Sequence, residues 1–180
     1  MISRFAIALF FYSVMTTGCV RKLNPCVEES ISQQLKPVNT SLLKLDGYYY
    51  GSTPNNSSSH DVLILYSNGV LLNYTTIVNN NFSEFENQLI DGHDLEDLYR
   101  TKVNWGDFLI DSNRINIEQL AVEEHCSLYL FKGAGTIIND TTFYINKMVQ
   151  VNGDRNYTIE TTYHFKQFGI KPDSSNLFVY

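Results

Sequence analysis

The densest run of ionisable side chains is "DGHDLEDLYR" (91–100), which places Asp91, His93, Asp94, Glu96 and Asp97 close together. Carboxylates beside a histidine are the donor types of a cation site. Their spacing matches no calcium loop, however, and acidic residues at a helix start answer to the positive end of its dipole. A solvated helix face is the better reading. The histidines His60, His93, His125 and His164 belong to no HExxH, and no serine stands in GxSxG. His125 follows Glu123 and Glu124, and His164 shares a strand face with Glu160 four residues back. Either is an acid–base pair by residue type, but a surface histidine accounts for both. "KGAGT" (132–136) has the glycines of a phosphate loop without its lysine placement or following helix. Two glycines in a strand mark a bend or bulge instead. Glu84 and Glu86 are glycosidase residue types with no fixed separation from a partner. The residues define no catalytic centre, metal site or cofactor, and the chain reads as a non-enzyme.

The aromatic residues carry more. Tyr occurs 12 times and Phe 11 times, a bias that favours strands. Tyr48 and Tyr50 share one strand face, and Trp105, Tyr129 and Tyr163 lie in other strands. These five are the candidate lining of a pocket for a small hydrophobic ligand or lipid. The competing reading is that they fill a barrel, since about eight strands leave an interior just wide enough for side chains.

Cys19 offers a different chemistry. Arg4 precedes the apolar run "FAIALFFYSVM" (5–15), whose length as a helix is roughly 16 Å, about half a bilayer core. A basic start, a short apolar stretch and small residues after it form a secretory signal. Thr16-Thr17-Gly18 then leads into Cys19, the pattern of a bacterial lipobox, in which the thiol receives a diacylglycerol and the cysteine becomes the new N-terminus. Stable anchoring takes more than one acyl chain, each methylene contributing about 0.8 kcal/mol. Cys26 and Cys126 remain as a candidate disulfide in an oxidising compartment. It would close a loop of about a hundred residues, for roughly 4.7 kcal/mol in the chain-entropy model; two buried thiols are the alternative. The formal charge of −6 argues against nucleic acid as a partner.

These residues have to be positioned by the chain that follows. Residues 1–18 read as the signal peptide and 19–44 as a lipidated tether with a short helix over 27–36, where Val27, Ile31 and Leu35 form a stripe before Lys36-Pro37. Residues 45–180 read as the domain. From Leu45 the period becomes two: "LDGYYYGS" is a strand, "TPNNSSSH" a polar loop, and "DVLILYSNGVLLNYTTIV" a hairpin turning at Asn68-Gly69. A helical insertion near 82–100 opens with a capping box at Asn81 and Glu84 and breaks at Gly92. Paired strands follow, turning at Ser112-Asn113, Asn139-Asp140 and Asn152-Gly153. The expected fold is mainly β: an antiparallel up-and-down barrel of about eight strands, closed between the first and last. The apolar "KPDSSNLFVY" (171–180) is expected along that seam.

The order of lipobox, short helix, "LDGYYYGS", hairpin through "YSNG", helical insertion, strands after Trp105 and final "YHFKQFGIKPDSSNLFVY" resembles small Bacteroidetes lipoproteins. It is also loosely similar to lipocalin-like barrels, with Tyr49 where their Gly-x-Trp opening has tryptophan. The resemblance implies an eight-stranded barrel with an interior pocket and no catalytic residues. The expected function is that of a non-enzymatic lipoprotein, anchored through Cys19 in the bacterial cell envelope at the outer membrane, that binds a small hydrophobic ligand. The alternative is a structural lipoprotein with a filled barrel that docks on another envelope component.

Overall fold

In a computed structural model, the protein is described at residues 29–31, 35–38, 41–53, 56–78, 81–92, 99–123 and 127–179, excepting the side chains of 53, 56–59, 75–78, 123, 157 and 159. Cys19, Cys26 and Cys126 lie outside these residues, as do His93 to Leu98 of the acidic run. Eight antiparallel strands close into a barrel in sequence order. They are β1 (Gly47–Thr53), β2 (Asn56–Leu65), β3 (Val70–Val78), β4 (Trp105–Asp111), β5 (Arg114–Glu123), β6 (Ser127–Asn139), β7 (Thr142–Gln150) and β8 (Asn156–Gln167). β1 pairs with β8 from Gly47↔Gln167 to Gly51↔Tyr163, which closes the ring. The expected up-and-down barrel is the observed fold.

The turns explain the meander. Gly69 adopts φ 89°, a left-handed conformation that costs glycine nothing, and the Asn68 side chain accepts from the Val70 amide at 3.3 Å. Asn139 Oδ1 takes both the amide (2.9 Å) and the hydroxyl (2.8 Å) of Thr141. We call the end carrying the β2–β3, β4–β5 and β6–β7 turns the base, and the opposite end the mouth. One expectation is corrected here: the polar stretch read as a loop at 53–60 belongs largely to β2. Its backbone pairs with β1 through Thr53↔Asn56 and with β3 through Ser59↔Val78. Ladder pairing on both sides outweighs the weak strand propensity of Asn and Ser.

Alternation sends one side of every strand inward. Tyr49, Leu63, Leu65, Leu71, Phe108, Ile115, Ile117, Ile137, Phe143, Ile145 and Tyr163 form a buried interior cluster to which all eight strands contribute. Leu42, Leu43 and Leu45 close it from the base. The opposite faces of β1, β2 and β3 are buried as well, in an outer cluster that includes Tyr48, Ile64, Tyr66, Leu72, Tyr74 and Trp105. Toward the base these three strands are therefore apolar on both sides, which explains the unbroken run "VLIL" at the end of β2.

Helix α1 (Phe82–Asp91) covers part of that outer face with Phe85 and Leu89. Its ends are those the sequence predicts. Asn81 Oδ1 accepts from the Glu84 amide at 3.3 Å, the Asn81 amide nitrogen donates to Glu84 at 2.7 Å, and Gly92 caps in the left-handed conformation. Glu86 ties the helix to the barrel by accepting from Tyr48 Oη at 2.9 Å and pairing with Lys166 at 2.8 Å.

The helix expected over 27–36 is not formed by its described residues, which are irregular. The Glu29 amide instead donates to Leu128 O near the mouth, and Val38 donates to Ser67 O at the base. The nine steps from Glu29 to Val38 would extend only about 14 Å as a helix but roughly 30 Å as extended chain, and the two anchors lie toward opposite ends of the barrel. Ile31 and Leu35 still reach the outer cluster. The segment at 168–179 departs from expectation too. It leaves the β1–β8 seam and crosses the outer face of β2 and β3, burying Val179 there and leaving Leu177 81% exposed. Tyr66 Oη donates to Pro172 O at 2.9 Å, and Lys171 Nζ donates to Leu45 O at 2.6 Å and Leu65 O at 2.8 Å. Carbonyls left over just before β1 and at the end of β2, and the Tyr66 ring 4.5 Å from Nζ, draw the strap away from the seam.

Burial lowers Lys171 from 10.5 to about 8, with Asp46 opposing the shift. The folded state thus sheds this proton earlier than the unfolded chain. The penalty of holding the charge is full below pH 8 and is relieved as pH rises toward 10.5. Buried Tyr48, Tyr49, Tyr66 and Tyr163 are raised above 10 mainly by burial, so their contribution falls once the unfolded tyrosines ionise. Stability measured by denaturant should rise between pH 8 and 10, and Lys171→Met should remove that rise. A variant curve parallel to the wild type would contradict this assignment.

Candidate functional site

Inside the barrel, the base half and the mouth half differ in chemistry. The base half is filled by rings. Tyr163 stacks on Phe143 with centroids 5.0 Å apart, and Tyr49 packs on Phe143 at 4.9 Å and on Phe165 at 5.4 Å. Tyr49 Oη donates to Lys44 O at 3.0 Å, which fastens this ring to the segment closing the base. Large side chains cross over glycines here. A Cβ on Gly133 would lie 2.6 Å from Met148 Sδ, and one on Gly51 would lie 2.6 Å from Thr161 and 2.9 Å from the Tyr163 ring.

Above this floor several of the described inward positions are polar. They are Asp61 on β2, Asn73 on β3, Gln119 on β5, Gln150 on β7 and Thr161 on β8, beside Tyr129 and Phe131 on β6. Asp61, Asn73, Gln119 and Tyr129 are half-buried, so water reaches this part of the lumen. In register, Asp61 sits opposite Gly51 and Gly51 opposite Tyr163. The carboxylate and the phenol therefore face one another across a position with no side chain. Tyr163 is only 7% exposed. Burial raises the Asp61 carboxyl above the usual range, with the His60 imidazole opposing, and burial followed by the Asp61 charge raises the Tyr163 phenol. Among the described residues, the side chains of Asp61, Asn73, Gln119 and Tyr163 make no hydrogen bond or ion pair to protein, whereas Thr161 does have a partner. Polar groups enclosed without partners cost about 1–3 kcal/mol each unless water or a ligand meets them.

The aromatic residues singled out from sequence divide between the two faces. Tyr129 and Tyr163 are on the inner side. Tyr48, Tyr50 and Trp105 are not: Tyr48 and Trp105 are buried in the outer cluster, and Tyr50 packs against it. Tyr50 meets Phe82 of α1 at 4.8 Å, and Trp105 stacks on Tyr99 at 5.8 Å. Alternation shows which residues share a face but not which face turns inward, and in β1 the inward one is Tyr49. Asp61, Asn73 and Gln119 were missed because isolated polar residues in strands read as solvent-facing. Their signal was the shared parity of Asp61 with Leu63 and Leu65.

Two other polar groupings were weighed. Ser52 Oγ lies 2.6 Å from His60 Nδ1, a nucleophile–base pair by type. The two residues are direct cross-strand partners on the outer face, and Phe82 packs 5.5 Å from the imidazole. This is a hydrogen bond within the wall beneath α1. Asp107, Glu118 and Lys132 form a transverse row on β4, β5 and β6, in which Lys132 pairs with buried Glu118. The glycines of "KGAGT" lie within β6, whose pairing with β7 shifts between Ala134 and Gly135, the bulge the sequence indicated. Among the described residues, no three His, Cys, Asp or Glu side chains converge as metal ligands. No protein-family model, curated protein or solved structure matches the chain, so the functional reading rests on the lumen.

Charge on Asp61 is disfavoured by the fold, so at neutral pH this residue lowers stability. Asp61→Asn keeps the shape and removes the charge, and should raise the melting temperature. An unchanged or lower melting temperature in thermal denaturation at pH 7 would contradict the placement of Asp61.

Proposed function

We propose that the chain is a membrane-anchored, non-enzymatic binding protein that holds a small ligand in the mouth half of its barrel. The observation that carries this is the set of inward polar side chains without protein partners, above a floor of packed aromatic rings. Polar groups that face the lumen, make no bond to protein and are reached by solvent are suited to a molecule that pairs with them. The filled base half sets the size: the cup suits a compact ligand with a polar end and a short apolar or ring-bearing body, and an extended acyl chain has no room below Tyr163. The alternative of a barrel docking by its outer face is disfavoured on β1 to β3, because α1 and the 168–179 strap already occupy that surface.

The anchor follows from Thr-Thr-Gly-Cys after a short apolar run. Lipid on Cys19 would hold the barrel at the bacterial outer membrane. Cys19→Ser should move the protein from the membrane to the soluble fraction in its own host, and intact mass should show the acyl chains lost. Retention in the membrane fraction would refute the anchor.

For the cup, Ala121 stands on the inner side of β5 near the mouth, opposite Tyr129. Ala121→Trp should fill the opening and abolish binding of a compact environment-sensitive dye while the fold is kept. Equal dye binding by the variant would place the ligand elsewhere.

A further inference from the structure

The inference that follows rests on the cup described above and concerns what the cup selects. Asp61 is its one described carboxylate, and no lysine or arginine occupies an inward position among the described residues. Its side chain makes no ion pair or hydrogen bond there. Across the bare backbone of Gly51 it faces Tyr163, whose hydroxyl likewise lacks a protein partner, and Tyr129 and Phe131 stand on β6, across the lumen from β2. We propose that Asp61 and Tyr163 form a recognition site for a small organic cation, an amine carried on a ring or short apolar body.

Four physical points converge on a cation. An unpaired carboxylate half-withdrawn from water is stabilised most by an opposite charge that brings its own hydrogen-bond donors. Such a charge also relieves the burial that raises the Asp61 carboxyl. The Tyr163 ring beyond Gly51, and the β6 rings across the lumen, attract an ammonium group through their quadrupoles. The formal charge of −6 concentrates cations and repels anions. An anionic headgroup would meet Asp61 with no compensating base, and a neutral ligand would leave the charge unrelieved.

The Gly51 position is part of the specificity. A Cβ there would press into both Thr161 and the Tyr163 ring, so only glycine leaves the carboxylate and the phenol facing one another. Depth is set from below by the stacked Phe143, which limits the body of the ligand to about one ring.

The test uses the full chain in detergent, titrated calorimetrically with three probes of one shape: 2-phenylethylammonium, 2-phenylethanol and phenylacetate. The amine should bind at least about tenfold more tightly than either of the others, in keeping with a charge-assisted hydrogen bond. Asp61→Asn should weaken the amine about tenfold or more while leaving the alcohol unchanged. Tyr163→Phe should weaken the amine a few-fold, and Ala121→Trp should abolish binding of all three. Equal affinity for amine and alcohol, tighter binding of phenylacetate, or indifference to Asp61→Asn would overturn the cation site and leave the cup standing. Amine binding that survives Ala121→Trp would overturn the cation site by placing it outside the cup. Failure of every probe and of the dye would overturn the cup itself, and the cation site with it. Because the probe comparison is made on the wild-type chain, the outcome does not depend on any variant folding.

Discussion

The pairing of β1 with β8 governs the rest of the structure. A sheet of eight strands ends in two rows of unmet backbone groups, and the register from Gly47↔Gln167 to Gly51↔Tyr163 satisfies both at once. Closure also fixes parity. Once Tyr49 points inward, Gly51 must follow, and so must Asp61 and Leu63 across the β1–β2 ladder. No strand can slip by one residue without exchanging its buried set for its exposed set. The contrast between a packed base and a polar mouth is therefore a property of the ring as a whole.

A second layer is built on the first. The outer faces of β1 to β3 are as apolar as their inner faces, and three separate pieces of chain cover them: α1, the segment with Ile31 and Leu35, and the strap ending in Val179. Glu86 and Lys166 hold the helix, and Lys171 holds the strap. The elements outside the barrel thus sit on one side of it. The inward polar residues are drawn from β2, β3, β5, β7 and β8, so the cup spans most of the ring while its covering does not.

Much of this was legible in the sequence. The period of two, the Asn-Gly turn, the capping box at Asn81 and the regular spacing of later turns are local signals, and local signals specify strands, hairpins and one helix. What was not legible depends on contacts distant in sequence. Tyr48 and Tyr49 are chemically alike, and only closure with β8 decides which enters the lumen. The stripe at Ile31 and Leu35 is real, but its anchors at Leu128 and Ser67 require reach rather than helix. "TPNNSSSH" has turn composition and becomes ladder because β1 and β3 stand on either side of it. Asp61 shares the parity of Leu63 and Leu65, but that local signal acquires meaning only when Tyr163, about a hundred residues away, stands beyond Gly51.

The strap has a further consequence for how the molecule comes into being. Val179 is packed under the same cover as Leu72 and Trp105, and Lys171 supplies donors to carbonyls fixed long before it in the chain. During synthesis or export from the N-terminal end, a nascent chain could assemble hairpins from β2 to β7 as they emerge. The ring waits for β8, and the outer layer waits for residue 179. Until then an apolar surface on β2 and β3 stays open to water, so the interval between emergence and completion is one in which a holding chaperone would have a natural target.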